Sequence, residues 1–203
     1  MIQLFGNRGS GNSNKVEYTA IVLGIPYEYK EMDFQKDLKT PQYLKIHPAG
    51  MVPSMNDDGF ILFESGAMCK YLCDKKPSAL YPLDMKKRAI VNQWIDFSIN
   101  HIATAMGKVA YNRVFAAMRK LPVNEMALEE GLKQLDRFFP IIEAQLAHGT
   151  FLTGNELTLA DLTLFASLQY GEASKVDLSK YSALSTWQKK LMSMDFYKKV
   201  HQK

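Results

Sequence analysis

The 203-residue sequence has only two cysteines, Cys69 and Cys73. They stand four apart on one predicted helix face, which suits two packed thiols in a reducing compartment. No His, Asp or Glu accompanies them at a usable ligand spacing, so no metal is expected. The longest apolar runs fall short of the ~18 residues that a membrane helix needs, and residues 1–20 lack a basic-then-apolar signal pattern. Both argue against export or a membrane span, and a cytoplasmic protein is expected. No basic block exceeds Lys86-Lys87-Arg88, which reads as a solvated helix face. With a formal charge of +4, nucleic acid is not the expected partner. Internal repeats and low-complexity tracts are absent. What is present is 47% hydrophobic residues, enough to bury a core as one domain or two small ones.

The first part of the chain alternates strands with helices. Ile2–Phe5 reads as a short strand, and Gly6–Asn12 as a polar loop punctuated by glycine. Asn12 or Ser13 is a natural N-cap for a helix whose body runs Lys15–Leu23, and Gly24 with Pro26 ends it. Tyr27–Lys30 has strand periodicity, and Pro41–Ile46 can form a short helix with Pro41 in its first turn. Next, Val52–Met55 and Phe60–Phe63 flank Asp58-Gly59, a pair that tolerates positive φ, so a β-hairpin is predicted. A helix over Gly66–Cys73 follows. The order β-α-β, short α, β-β-α yields a small α/β sheet with one parallel and one antiparallel connection.

Pro77-Ser78-Ala79-Leu80-Tyr81-Pro82 breaks the pattern, which places a linker at 77–83 between an α/β domain at 1–76 and an all-helical domain at 84–203. Asp84 caps a long segment with apolar residues at helical spacing through Phe115, ended by Leu121-Pro122. Asn124–Leu146 is amphipathic. Thr158-Leu159-Ala160-Asp161 is a capping box that starts a helix over Leu159–Tyr170. Ser185–Met194 forms a further helix, and Asp195–Gln202 adds a short one.

Two features of residues 50–65 point to a ligand. A proline that opens a strand cannot donate to a sheet ladder, so Val52-Pro53 marks a protected start or an exposed edge, with a cis bond as a candidate. Main-chain groups exposed there can pair with an extended peptide. On the other side, Glu64-Ser65 stands at a helix start, where free N–H groups attract a carboxylate. Such a stretch can hold a short peptide with an acidic end.

The stretch His47-Pro48-Ala49-Gly50-Met51-Val52-Pro53 through Glu64-Ser65 resembles the glutathione-site signature of the cytosolic glutathione transferases. His47 stands where the family has Asn, and Met51 where Gln often precedes Val-Pro. Phe151-Leu152-Thr153-Gly154 through Thr158-Leu159-Ala160-Asp161 resembles a signature of their helical domain. Trp94–Phe97, Tyr111–Phe115 and Leu121-Pro122 look most like the phi class, of a bacterial-type phi/theta-like kind. The resemblance implies an α/β thioredoxin-like N-terminal domain plus an all-α C-terminal domain. It also implies a homodimer that uses glutathione as cosubstrate and conjugates it to a small hydrophobic electrophile.

Glutathione's thiol, with a pKa of about 8.5, is only roughly 3% thiolate at pH 7, and thiolate is the attacking form. Lowering that pKa by about 2 units takes about 2.7 kcal/mol, within the reach of one preorganised hydroxyl plus a helix N-terminus. By resemblance to serine-type transferases, Ser10, six before Val16, is the catalytic hydroxyl, with Ser13 as the rival. The same resemblance places Lys39 at the glycyl carboxylate, where Leu38 replaces a histidine. It puts Met51, Val52 and Pro53 along the peptide backbone, with Ser65 on the γ-glutamyl carboxylate and Glu64 facing the amino group. Arg8 is open between adding charge near the thiolate and a surface role. Met106, Tyr111, Phe115 and Met118 are candidate walls for the electrophile, lying along the first long helix of the second half. Two alternatives remain: a non-catalytic interaction module on the same fold, and a glutathione-dependent peroxidase or thiol reductase. The latter requires a cysteine in the active loop, and residues 6–16 contain none.

Overall fold

The computed structural model describes Met1–His201; Gln202, assigned by the sequence to the last helix, and Lys203 lie outside the described residues. Two compact units divide at Leu83/Asp84, and the chain from Ser193 onward belongs to the first.

The first unit is built on a four-stranded sheet of order β2-β1-β3-β4. Strand β1 (Ile2–Gly6) pairs in parallel with β2 (Tyr27–Glu31), because helix α1 (Gly11–Leu23) returns the chain between them. Strand β3 (Ser54–Asp57) runs antiparallel to β1 and forms a hairpin with β4 (Phe60–Phe63). The hairpin turn is Asp58-Gly59, with φ of 51° and 97°, the primed geometry that suits a twisted hairpin. Thr40 caps the short α2 (Pro41–Leu44) with a 3.2 Å bond from the Tyr43 N–H. Helix α3 (Ser65–Lys75) packs against α1. Gly24 in the left-handed region closes α1, as its place ahead of Pro26 predicts.

Several boundaries move by one or two residues, and two of the differences bear on the site. Strand β3 begins at Ser54 rather than Val52, since proline has no N–H for the β1 ladder and pairing starts one residue after it. Helix α1 begins at Gly11 with Ser10 as its N-cap, in place of Asn12 or Ser13. Ser13 is fully buried, and its hydroxyl accepts the Asn7 N–H at 3.2 Å, which removes it from any capping role.

The second unit opens with a helical segment from Met85 to Met118, capped by Asp84 with a 2.9 Å bond from Lys87 N–H. It comprises α4 (Met85–Phe97), α5 (Thr104–Ala110) and α6 (Ala116–Met118), joined by π-helical stretches at Ser98–Ala103 and Tyr111–Phe115. In each stretch a polar side chain takes a carbonyl one turn back: Ser98 Oγ bonds Trp94 O at 2.7 Å, and Asn112 Nδ2 bonds Lys108 O at 2.9 Å. That competition with the backbone ladder accompanies the altered helical pitch. Asn124 caps α7 (Glu125–Leu146), which carries Pro140 within it. Helix α8 (Leu159–Ser167) is shorter than the predicted Leu159–Tyr170, and turns follow it. Helix α9 (Ser182–Ser193) starts three residues early, because Glu143 accepts the Ala183 and Leu184 N–H groups, both at 2.9 Å.

Helix α10 (Asp195–His201) belongs to the first unit, whereas the sequence assigned everything from 84 to 203 to one helical domain. Its buried Phe196 sits 4.9 Å from the Tyr18 ring of α1, and the Tyr18 hydroxyl meets His201 Nε2. Periodicity identifies an apolar helix face but not the unit that covers it. Among the described residues no helix is long and apolar enough to cross a membrane, and no cluster of three or more His, Cys, Asp or Glu could hold a metal ion.

Asp161 organises the start of α8 as the capping box predicts, and does more. Fully buried, it accepts Leu152 N–H (2.8 Å) and Trp187 Nε1–H (3.0 Å) on one oxygen. The other oxygen accepts Thr158 N–H (2.9 Å) and the Thr158 hydroxyl (3.0 Å). Burial pushes its carboxyl pKa up despite these bonds. Because both oxygens only accept, Asp161→Asn turns an amide NH₂ toward two donors. It should cost roughly 2–4 kcal/mol in urea unfolding, comparable to Asp161→Ala. A midpoint within error of the parent protein would show that the network is dispensable.

Candidate functional site

Helix starts α1 and α3 come together at one point. Ser65, the first residue of α3, is buried, and its hydroxyl donates to Asn12 Oδ1 in the first turn of α1 at 3.3 Å. Each helix leaves its first N–H groups without intrahelical partners, so the two starts together favour negative charge nearby. The sequence offers Asn12 only as a cap; its contact with Ser65 depends on the packing of α1 on α3, for which the local sequence has no signal.

Ser10 is half-buried on the loop between β1 and α1. Its Oγ accepts the Ser13 N–H at 3.5 Å, and its own N–H donates to Asn7 O at 2.8 Å. Among the described residues the Ser10 hydroxyl proton has no acceptor, so it can be donated to an anion at the helix start. The loop itself is closely held. Asn7 Nδ2 donates to Met32 O and Asn7 Oδ1 accepts Gly9 N–H, both at 2.8 Å, while Asn14 Nδ2 donates to Arg8 O at 2.9 Å. Arg8 is not a free surface charge. Its guanidinium makes a two-point ion pair with buried Glu17, and hydrogen bonding to that carboxylate raises its pKa.

Glu64 occupies φ 70°, a region that favours glycine, and is exposed without a side-chain capping bond. Such a conformation costs about 1–3 kcal/mol and persists only where the surroundings enforce it. Behind it on α1, Lys15 is nearly fully buried, and burial lowers its ammonium pKa against the opposing charges of Cys69 and Glu64. Cys69 and Cys73 are buried, and burial pushes the Cys69 thiol up, which makes it a poor nucleophile.

On the other flank, the Val52-Pro53 peptide is cis, as the sequence suggested. Val52 precedes β3 and packs its side chain on the cluster of Met32, Leu38 and Tyr43. Leu38 is thus a core residue. Met51 is 52% exposed, and its carbonyl accepts the Tyr43 hydroxyl at 2.7 Å. Gly50 has φ 58°, and a Cβ there would stand 2.5 Å from Leu38 O, so only glycine lets the loop lie this close. Lys39 Nζ bonds Ala49 O at 3.1 Å, holding its ammonium beside that loop. His47 is buried, with its ring 4.9 Å from that of Phe63, and desolvation lowers its pKa.

The candidate electrophile walls scatter. Met106 is 2% exposed and is core, which removes it as an open wall. Phe115 packs edge-on against Tyr170 at 5.0 Å, while Tyr111 and Met118 are exposed. A stripe at helical spacing does not separate core from rim, and only burial does.

Comparison with known proteins places these features in a family. Residues 4–79 match the glutathione S-transferase N-terminal domain, and residues 105–195 the C-terminal domain. The probable glutathione S-transferase GSTF2 of Oryza sativa subsp. japonica is 30% identical over 204 residues, covering 98% of this chain and 95% of that protein. Glutathione transferase F2 from Populus trichocarpa superposes with a TM-score of 0.92 at 25% identity, covering 100% of this chain and 98% of the other. Glutathione S-transferase I from maize, in complex with an atrazine glutathione conjugate, gives 0.89 at 27% identity over 98% and 95% of the two chains. With both domain matches in order along a chain aligned almost end to end with the rice protein, this protein belongs to the glutathione S-transferase family.

Proposed function

We propose that the protein is a serine-type, phi-like glutathione transferase in which the Ser10 hydroxyl donates to the thiolate of glutathione, readying it to attack a small hydrophobic electrophile. One observation carries the assignment to Ser10 over Ser13. Ser10 caps α1 with an uncommitted proton, whereas Ser13 is buried and accepts the Asn7 N–H. The serine need not act as a base, since a hydrogen bond at the start of α1 stabilises the anion directly. Ser65 and the N–H groups of α3 suit the γ-glutamyl carboxylate, and exposed Glu64 suits the amino group. The Val52 main chain lies along the cysteinyl backbone, flanked by Met51 and Pro53, and Lys39 faces the glycyl carboxylate. Tyr111, Phe115 and Met118 are the remaining candidates for the electrophile wall.

A thiol-reductase reading finds no support in the loop before α1, which has no cysteine, or in Cys69 and Cys73, which are buried. The reading includes a cytoplasmic homodimer, supported by the apolar edge strand β4, where Phe60, Ile61 and Phe63 are exposed.

Ser10→Ala should lower conjugation of a generic electrophile by roughly 10²-fold, the scale of a lost anion-stabilising donor, with less effect on glutathione affinity. Loss of turnover in Ser13→Ala but not in Ser10→Ala would move the role to Ser13. Ser65→Ala should weaken glutathione binding by ~1–3 kcal/mol, because it removes a hydrogen bond to a charged carboxylate at a helix start. An unchanged dissociation constant in calorimetry would remove Ser65 from the site.

A further inference from the structure

We propose that Glu17 is a positioning residue for Ser10, acting through Arg8; the inference rests on the reading of Ser10 as the thiolate donor. Glu17 lies on α1 with a side chain only 1% exposed. Arg8 Nε and Nη2 donate to its two carboxylate oxygens at 3.1 and 2.8 Å, and the Tyr27 hydroxyl of β2 donates to it at 2.9 Å. The Arg8 guanidinium also lies 4.3 Å over the Tyr29 ring. The main chain of Arg8 is fixed too, by a 3.1 Å bond from its N–H to Glu31 and a 2.9 Å bond from Asn14 Nδ2 to its carbonyl. Only Gly9 separates this residue from Ser10.

The effect of the pair is positional. A buried ion pair is often no more stabilising than apolar side chains of similar volume. Its planar fork, however, sets both the distance and the angle between two elements. Here those elements are the loop that ends in Ser10 and the helix that Ser10 caps. The pair therefore fixes the Ser10 hydroxyl relative to the free N–H groups of α1, the alignment on which anion stabilisation depends. It also occupies the Arg8 charge, so Arg8 serves the thiolate through geometry. Among the described residues, the other titratable groups that feel the Glu17 charge include Tyr18 on α1, Tyr27 and Tyr29 on β2 and, from α10, His201.

Three variants separate positioning from folding. Glu17→Gln keeps the shape but sets an amide against the fork, Arg8→Lys keeps the charge without the fork, and Arg8→Met/Glu17→Met replaces the pair with apolar packing. Readouts are kcat, the pKa of the bound thiol from thiolate ultraviolet absorbance, and affinity for S-methylglutathione, which has no thiol proton. Glu17→Gln and the double variant should lower kcat about 10-fold and raise the thiol pKa, with S-methylglutathione affinity within about 2-fold of the parent and Arg8→Lys intermediate. Unchanged kcat and thiol pKa in a folded double variant, or in Arg8→Lys if the double variant does not fold, would make the pair structural only. A loss of S-methylglutathione affinity as large as the loss of kcat would likewise overturn the proposal. If Ser10→Ala abolishes turnover while the pair variants retain it, this inference alone fails; if Ser10→Ala is fully active, the Ser10 reading fails and takes this inference with it.

Discussion

The first unit depends on how two helix starts are held together. The first N–H groups of any helix lack intrahelical partners, and burying them unpaired is costly. Here the starts of α1 and α3 are brought to one place and joined by the Ser65–Asn12 hydrogen bond. One serine hydroxyl caps α1, and the other belongs to the first residue of α3. Residual positive potential from both ends is left where an anionic ligand can use it. The closely held loop before α1 and the strained Glu64 before α3 set where those two ends lie.

The second unit is organised around a buried polar network. Asp161 satisfies a helix start, the Leu152 N–H and the indole of Trp187 at once. A buried carboxylate is tolerated because every donor aimed at it is matched, and half of that network would be worse than none. Asn112 plays a related part, as its side chain takes Lys108 O within α5 and accepts the Asn124 N–H at the cap of α7. Short polar side chains thus fix where helices in this unit bend and begin.

Departures from the glutathione-site signature are absorbed by packing. Leu38 joins the cluster of Met32 and Tyr43, and the Tyr43 hydroxyl holds the Met51 carbonyl. That bond fixes the Met51 backbone, although a methionine side chain cannot make the hydrogen bonds of a glutamine. His47 fits against Phe63 as a neutral ring favoured by burial. The main-chain features of the signature, Gly50, Val52-Pro53 and Glu64-Ser65, survive these side-chain changes, so the fold of the stretch does not depend on them.

Sequence alone determined the elements whose signals are local. The hairpin followed from Asp58-Gly59, the end of α1 from Gly24, the start of α4 from Asp84 and that of α8 from Thr158 and Asp161, since each acts on backbone within a few residues of itself. The cis Val52-Pro53 bond and the helix start at Glu64-Ser65 were legible for the same reason. Tertiary structure decided whatever depends on a distant partner. Ser10 caps α1 and Ser13 is buried because of how the loop folds back on Asn7. Arg8 finds Glu17 because β1, α1 and β2 are layered. Met106 is core while Met118 is rim, and α10 returns to the first unit through Phe196 and Tyr18. In each of these the residue's type is compatible with two environments, and only burial and partners at long sequence separation choose between them.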